Sequence, residues 1–314
     1  MNTPVNTPRL KRSAQRGIAL LTALMILALA ALLAYALMQQ GTIALDRAAG
    51  AQRAAQARAL ADGLFDYALI ALLRDAEGAQ SDSRAEQWAQ PLPPLPVPQG
   101  LVTGRMEDLN GRINLNGFAG DASQVAVTQQ LLTRLLEILK LNPQIAGRIQ
   151  DAIDADDSNS GGGEDVDFMS QRPSSRAPNR PLQQVSELRH LPGLSAQDYA
   201  TLSRYVCTID KNALLNINTA EVPVLMSLDP GISEDLAKKL WRDGQANYAS
   251  RSDLVVEIAR SGGPPNLPSV EPFLGVKSTH FIAHARIKLE GVEYRYSAQL
   301  DRVRYEVVWR MQGE

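Results

Sequence analysis

The densest run of metal-ligating side chains lies between Asp151 and Asp167, with seven acids in seventeen residues. Asp154 stands at the end of a predicted helix, and Asp156, Glu164 and Asp167 follow in a loop that contains Gly161-Gly162-Gly163. The glycines let the chain fold back, so these four acids can converge as hard oxygen ligands suited to calcium. Their spacing is not that of an EF-hand. The same acids also read as a solvated loop whose like charges hold it open. A metal here would be structural, because no nucleophile or base accompanies it. His190, His280 and His284 are too few and too scattered for zinc or a triad, and no serine sits in a nucleophile elbow. His190, beside Leu191-Pro192-Gly193, reads as a turn residue, and His280 and His284 flank or enter a strand. The single cysteine, Cys207, rules out an internal disulfide and reads as a small core residue. The expectation is a protein that is not an enzyme.

A second chemistry-bearing segment is Asn216-Ile217-Asn218-Thr219-Ala220, followed by Leu228-Asp229-Pro230-Gly231-Ile232 and a helix. This resembles the helix-hairpin-helix of DNA-binding and DNA-uptake proteins, which offers backbone N–H groups to phosphate. Charge opposes that use. Asp210 to Asp243 carries six acids against four bases, and Glu234 and Asp235 stand where phosphate would approach. No nucleic-acid partner is expected. A membrane-anchored DNA-binding or DNA-uptake protein is the alternative reading.

Both segments must be carried by a chain whose first part belongs in a membrane. The 314 residues have a formal charge of -2, but Arg9, Lys11, Arg12 and Arg16 precede Gly17 without any acid, leaving -6 for the rest. Ile18 to Leu37 is uncharged, and twenty helical residues span roughly 30 Å, the thickness of the hydrocarbon core. Basic residues before the span predict a cytoplasmic N-terminus and an exported remainder. A cleaved secretory signal is the plainer alternative. Against it stand the length of the apolar run, Gly17 immediately before it, and helix-favouring residues continuing past Leu37. A helix from Ile18 to near Arg74 would be roughly 85 Å long.

A basic leader, a glycine and an apolar helix start, here Arg16-Gly17-Ile18-Ala19-Leu20-Leu21, form the type IV prepilin pattern. The chain resembles the K-type minor pseudopilin of type II secretion systems. The resemblance implies that a prepilin peptidase cuts between Gly17 and Ile18 and that Ile18 is then N-methylated. Most pilins carry glutamate at the fifth mature position, whereas this chain has Thr22. An uncharged residue there is the K-type form, explained by a place at the filament tip. A carboxylate in lipid needs a partner amine, and a subunit with nothing above it has none to meet. The resemblance further implies a structural subunit at the tip of a periplasmic pseudopilus, which helps initiate assembly and drives export of folded proteins across the outer membrane. The implied partners are other minor pseudopilins, met through the N-terminal helix and globular domain, the prepilin peptidase, the inner-membrane assembly platform, and a possible secretin or cargo contact. K-type subunits are also thought to bind calcium at a similar acidic segment. The implied location is the inner membrane, single-pass, with the C-terminal domain periplasmic.

The expected organisation is a leader over 1–17, a transmembrane segment over 18–37, and a periplasmic helix and linker over 38–90. The start of a pilin-like domain follows over 91–108, a mostly helical insert over 109–270, and C-terminal strands over 271–314. Pro91 to Pro98, with five prolines, reads as an extended connector. Leu131, Leu132, Leu135, Leu136 and Leu139 mark an amphipathic helix over Val125 to Leu141, and the next helix is expected over Pro143 to Ile153. Leu215-Asn216-Ile217-Asn218 echoes Ile113-Asn114-Leu115-Asn116 about 102 residues on, which suggests two related helical units. Short helices are expected around Val222 to Ser227 and from Ser233 to Trp241. Alternation in Phe281 to Leu289 and Val292 to Trp309, broken at Glu290-Gly291, predicts antiparallel strands. The fold class is α+β: a long N-terminal helix on a small antiparallel sheet, pilin-like, with a large helical insert.

Overall fold

Ala, Leu, Gln and Arg lose little on entering a helix, and the chain duly begins with one continuous helix, α1 (Ser13–Gly78). The computed structural model describes residues 13–154, 169 and 176–313. The chain divides into two compact units, Met1–Gln56 and Ala57–Glu314. Among the described residues of the first unit the only element is α1.

In the second unit α1 presents Ala57, Ala61, Phe65, Ala68 and Leu72 at helical spacing to the face of a sheet. The alanines let the helix approach closely. Phe65 and Leu72 are almost fully buried, worth roughly 1.5–3 kcal/mol each. The sheet comprises β1 (Leu92–Val97), β2 (Gly100–Asp108), β7 (His280–Leu289), β8 (Val292–Asp301) and β9 (Glu306–Gln312), in that spatial order and antiparallel throughout. Alternate residues of β7, namely Phe281, Ala283, Ala285, Ile287 and Leu289, face α1. Trp88 meets Phe281 edge-on at 5.1 Å between ring centroids. The proline-rich connector is therefore an edge strand. Proline cannot donate to a ladder, and the β1–β2 register breaks between Leu92 and Leu95, at Pro93-Pro94. The β7–β8 hairpin turns through Glu290 and Gly291, at φ 47° and 85°, a pairing with both φ values positive that matches strand twist.

Between β2 and β7 lies a mostly helical insert built twice on one plan. In its first half β3 (Ile113–Asn114) leads to α2 (Ala122–Ile138) and α3 (Ile145–Ile153), then α4 (Ala196–Leu202), and closes on the parallel partner β4 (Val206–Cys207). In its second half β5 (Leu215–Asn216) leads to α5 (Val222–Ser227), α6 (Glu234–Trp241) and α7 (Arg251–Arg260), and closes on the parallel partner β6 (Leu274–Gly275). The Asn-x-Asn echo marks the same turn in both halves. Asn114 Oδ1 accepts from Asn116 N, and Asn216 Oδ1 accepts from Asn218 N. Asn116 then pairs through its amide with Leu182 N and O, as Asn218 does with Tyr248 N and O. Each amide replaces one rung of a missing strand.

α2 starts earlier than its leucine spacing indicates, because Asp121 and Gln124 form a reciprocal capping box. α3 begins at Ile145 and not at Pro143; Asn142 Oδ1 instead accepts from Gln144 N in a turn. The leucines of α2, the isoleucines of α3 and Leu236, Leu240, Leu254 and Ile258 of the second half share one core.

Candidate functional site

From Ile18 to Leu45 the large apolar side chains of α1 are 47–73 % exposed on all sides of the helix. A helix that is apolar all round is buried in lipid or among other helices, and this one is long and apolar enough to cross a membrane. It supplies a single candidate span among the described residues. Gly17 and Ile18 lie within α1, with Ile18 exposed. Thr22 Oγ1 donates to Ala19 O at 3.0 Å. The helix thereby satisfies the hydroxyl donor internally, which a glutamate side chain at the same place could not do once ionised.

Of the four acids singled out as calcium ligands, Asp154 is described: it is the residue after α3, half-buried, with its N–H donating to Gln150 O at 2.9 Å. Asp156, Glu164 and Asp167 lie outside the described residues. A different set of acids, Asp75, Asp82 and Glu86, brings ligand oxygens within 4.8 Å of one another, a spacing that could hold a divalent cation. A cation is already supplied there. Arg302 donates to both Asp82 oxygens at 2.7 and 2.6 Å and stands 3.7 Å from Asp75 Oδ2. Its guanidinium supplies positive charge to Asp82 and Asp75, although Asp75 Oδ2 is buried without a hydrogen-bond partner among the described residues. Burial and the neighbouring Asp82 carboxylate push the Asp75 carboxyl up, with Arg302 opposing; burial likewise raises Glu86.

Arg302 belongs to a buried polar seam that fastens the sheet to the insert. Asp82 Oδ2 also accepts from Ser278 N at 2.6 Å, and Arg302 donates to Ser278 O. Asn216, fully buried, donates to Asp82 O, Asp108 Oδ2 and Ser278 Oγ at 3.1, 3.2 and 2.7 Å. Asp108, the last residue of β2, accepts further from Thr219 Oγ1, from Ser278 Oγ at 2.6 Å and from Asn110 N at 2.7 Å. Burial raises its carboxyl, against the pull of the Ser278 and Thr219 hydroxyls and the Asn110 amide. Asn110 Oδ1 accepts from the N–H groups of Thr279 and His280, both at 3.0 Å. Gly111 permits the crossing, since a Cβ there would lie 2.6 Å from Thr219 Oγ1 and 2.8 Å from its carbonyl. Of these residues the sequence singles out Asn216 and Thr219, in the segment that resembles a helix-hairpin-helix. Sequence reasoning missed Asp82, Asp108, Ser278 and Arg302, which no periodicity or motif connects.

The hairpin segment is placed as expected: α5, a turn at Asp229-Pro230-Gly231, then α6 capped by Ser233 Oγ, which accepts from Leu236 N at 3.3 Å. Glu234 pairs with Lys238 at 2.7 Å, so the first turn of α6 presents acid. Cys207 is buried, and burial pushes its thiol up, away from reactivity. Burial holds the His280 and His284 rings below the ordinary histidine range, with Asp301 and Glu107 opposing respectively. His284 bonds Ser297 Oγ at 2.9 Å and His280 bonds Thr279 Oγ1 at 2.8 Å, local partners within the sheet region.

The architecture has known counterparts. A family model for type II secretion system protein K matches residues 111–211, a span that ends between the two halves of the insert. Type II secretion system protein K of Pseudomonas aeruginosa is 32 % identical over 267 residues, which cover 80 % of this chain and 79 % of the relative. The chain belongs to the type II secretion system protein K family. Protein K of Klebsiella pneumoniae is 31 % identical over 304 residues, 92 % of this chain and 93 % of the relative. The fold also matches a chain in the crystal structure of the GspK-GspI-GspJ complex from enterotoxigenic Escherichia coli. That match has a TM-score of 0.76 and 24 % identity, covering 85 % of this chain and 99 % of that one. This member of the protein K family therefore shares the fold of that chain over most of its length.

Proposed function

We propose that this protein K family member is a minor pseudopilin at the tip of the periplasmic pseudopilus of a type II secretion system. There it helps initiate assembly and drive export of folded proteins across the outer membrane. The observation that carries the reading is the all-round apolar surface of α1 from Ile18, on a chain of this family. That surface is the one other pseudopilin helices would cover, and subunits akin to GspI and GspJ are the neighbours the family's solved complex suggests. The basic leader supports a cytoplasmic N-terminus, inner-membrane anchorage and a periplasmic domain. Gly17-Ile18 is the proposed prepilin peptidase cut, with N-methylation of Ile18, and Thr22 the mark of a subunit with none above it. The role is assembly and not chemistry. Asp154, Asp156, Glu164 and Asp167 are the proposed ligands of a structural calcium ion, on the hardness and number of their oxygens.

A secretion assay tests this role. In a strain lacking the chain, a folded exoprotein is expected to accumulate in the periplasm. The wild-type chain should restore export and Gly17→Val should not. Normal export without the chain, or full rescue by Gly17→Val, would contradict it.

A further inference from the structure

Beside the polar seam, the sheet, the segment after α1 and the insert enclose a cleft of about 610 Å³, within the size range of ligand sites. Four arginines line it: Arg84, Arg105, Arg112 and Arg204. Arg105 and Arg112 share one carboxylate, Glu107, which accepts from Arg112 Nη2 at 2.5 Å and from Arg105 Nη1. Arg84 donates to Thr219 O at 2.8 Å and Glu221 at 3.2 Å. Arg204 is exposed and has no ion pair or hydrogen bond among the described residues. Asp108 lies on the floor, but both its oxygens are committed to donors of the seam. Three lining carboxyls, Glu107, Asp108 and Glu221, thus face four guanidiniums. Each guanidinium has five N–H donors in a fixed fork, so Arg105 and Arg112 keep donors that Glu107 does not take, in the cleft that Arg204 also lines.

We propose that this cleft binds an acidic peptide segment, with Arg204 meeting one carboxylate and the remaining donors of Arg105 and Arg112 meeting a second. Trp88, Met106 and Tyr205 also line the cleft and provide apolar wall against which intervening side chains of an extended peptide can lie. A polyanion such as nucleic acid would need a broad basic field, whereas the chain after Gly17 carries -6. Carboxylates spaced along a peptide suit a few guanidiniums set between apolar walls.

The test uses the full chain in detergent micelles and a fluorescein-labelled pentapeptide of alternating glutamate and leucine, with a glutamine-for-glutamate version as control. Fluorescence anisotropy should show saturable binding of the acidic peptide that weakens with salt. Arg204→Glu should weaken it at least about tenfold, and Arg260→Glu, an identical charge change on exposed α7 surface, by less than about twofold. Absence of saturable binding, equal affinity for the glutamine peptide, or equal losses in the two variants would each overturn the proposal. The leader is not involved, so the result is independent of processing at Gly17 and of the place in the filament.

Discussion

Arg302→Met is expected to lower the unfolding free energy of the folded part by about 3–5 kcal/mol, the usual cost of stranding one member of a buried ion pair. Asp82 has 2 % of its side chain exposed and Arg302 9 %, and their contact is bidentate. Removing the guanidinium leaves two carboxylates, Asp82 and Asp75, close together without their shared cation. Urea unfolding followed by the fluorescence of the three tryptophans measures the loss. Adding Asp82→Leu to Arg302→Met should recover part of it, because the stranded charge is then gone. A loss below about 1 kcal/mol for Arg302→Met would mean that the pair is solvated in solution and the seam is loose there.

Asn216→Ala should cost about 3 kcal/mol or more, whereas Asn114→Ala, at the matching turn of the first half, should cost about 1 kcal/mol. Both asparagines bond the backbone N–H two residues on. Asn216 additionally serves Asp82, Asp108 and Ser278 in a dry interior. Asn114 is half-buried, bonding Asp210 O and Ile209 N, and water can replace part of what is lost there. The same unfolding experiment compares the two variants. Equal costs would indicate that the halves of the insert are equally independent of the sheet and that Asn216 is not its fastening point.

Much of this architecture was legible because it rests on periodic or local signals. The apolar run from Ile18, the leucines of α2, the cap at Ser233, the Glu290-Gly291 hairpin and the paired Asn-x-Asn turns each state their structure within a few residues. β2 was hidden. Gly100 to Asp108 lacks clean alternation, and it becomes a strand because β7, far along the chain, supplies its ladder from Gly100↔Leu289 to Asp108↔Phe281. β1 was obscured for the opposite reason: its prolines favour extension but argue against pairing, and only an edge position reconciles them. The seam was unreadable in principle from local pattern. Asp82, Asp108, Ser278 and Arg302 are isolated polar residues, and only the closing of the sheet around the insert makes them one network. The acidic run drew attention as a metal site, yet the tight carboxylate group among the described residues is Asp75, Asp82 and Glu86, answered by an arginine 216 residues beyond the last of them.

The most direct measurement is the intact mass of the membrane-extracted protein, expressed with and without a prepilin peptidase. The expected result is a peptidase-dependent loss of residues 1–17 together with the mass of one methyl group on Ile18. A chain that stays uncleaved, or one cut beyond Leu33, would contradict a pseudopilin and leave a tethered or secreted domain of the same fold.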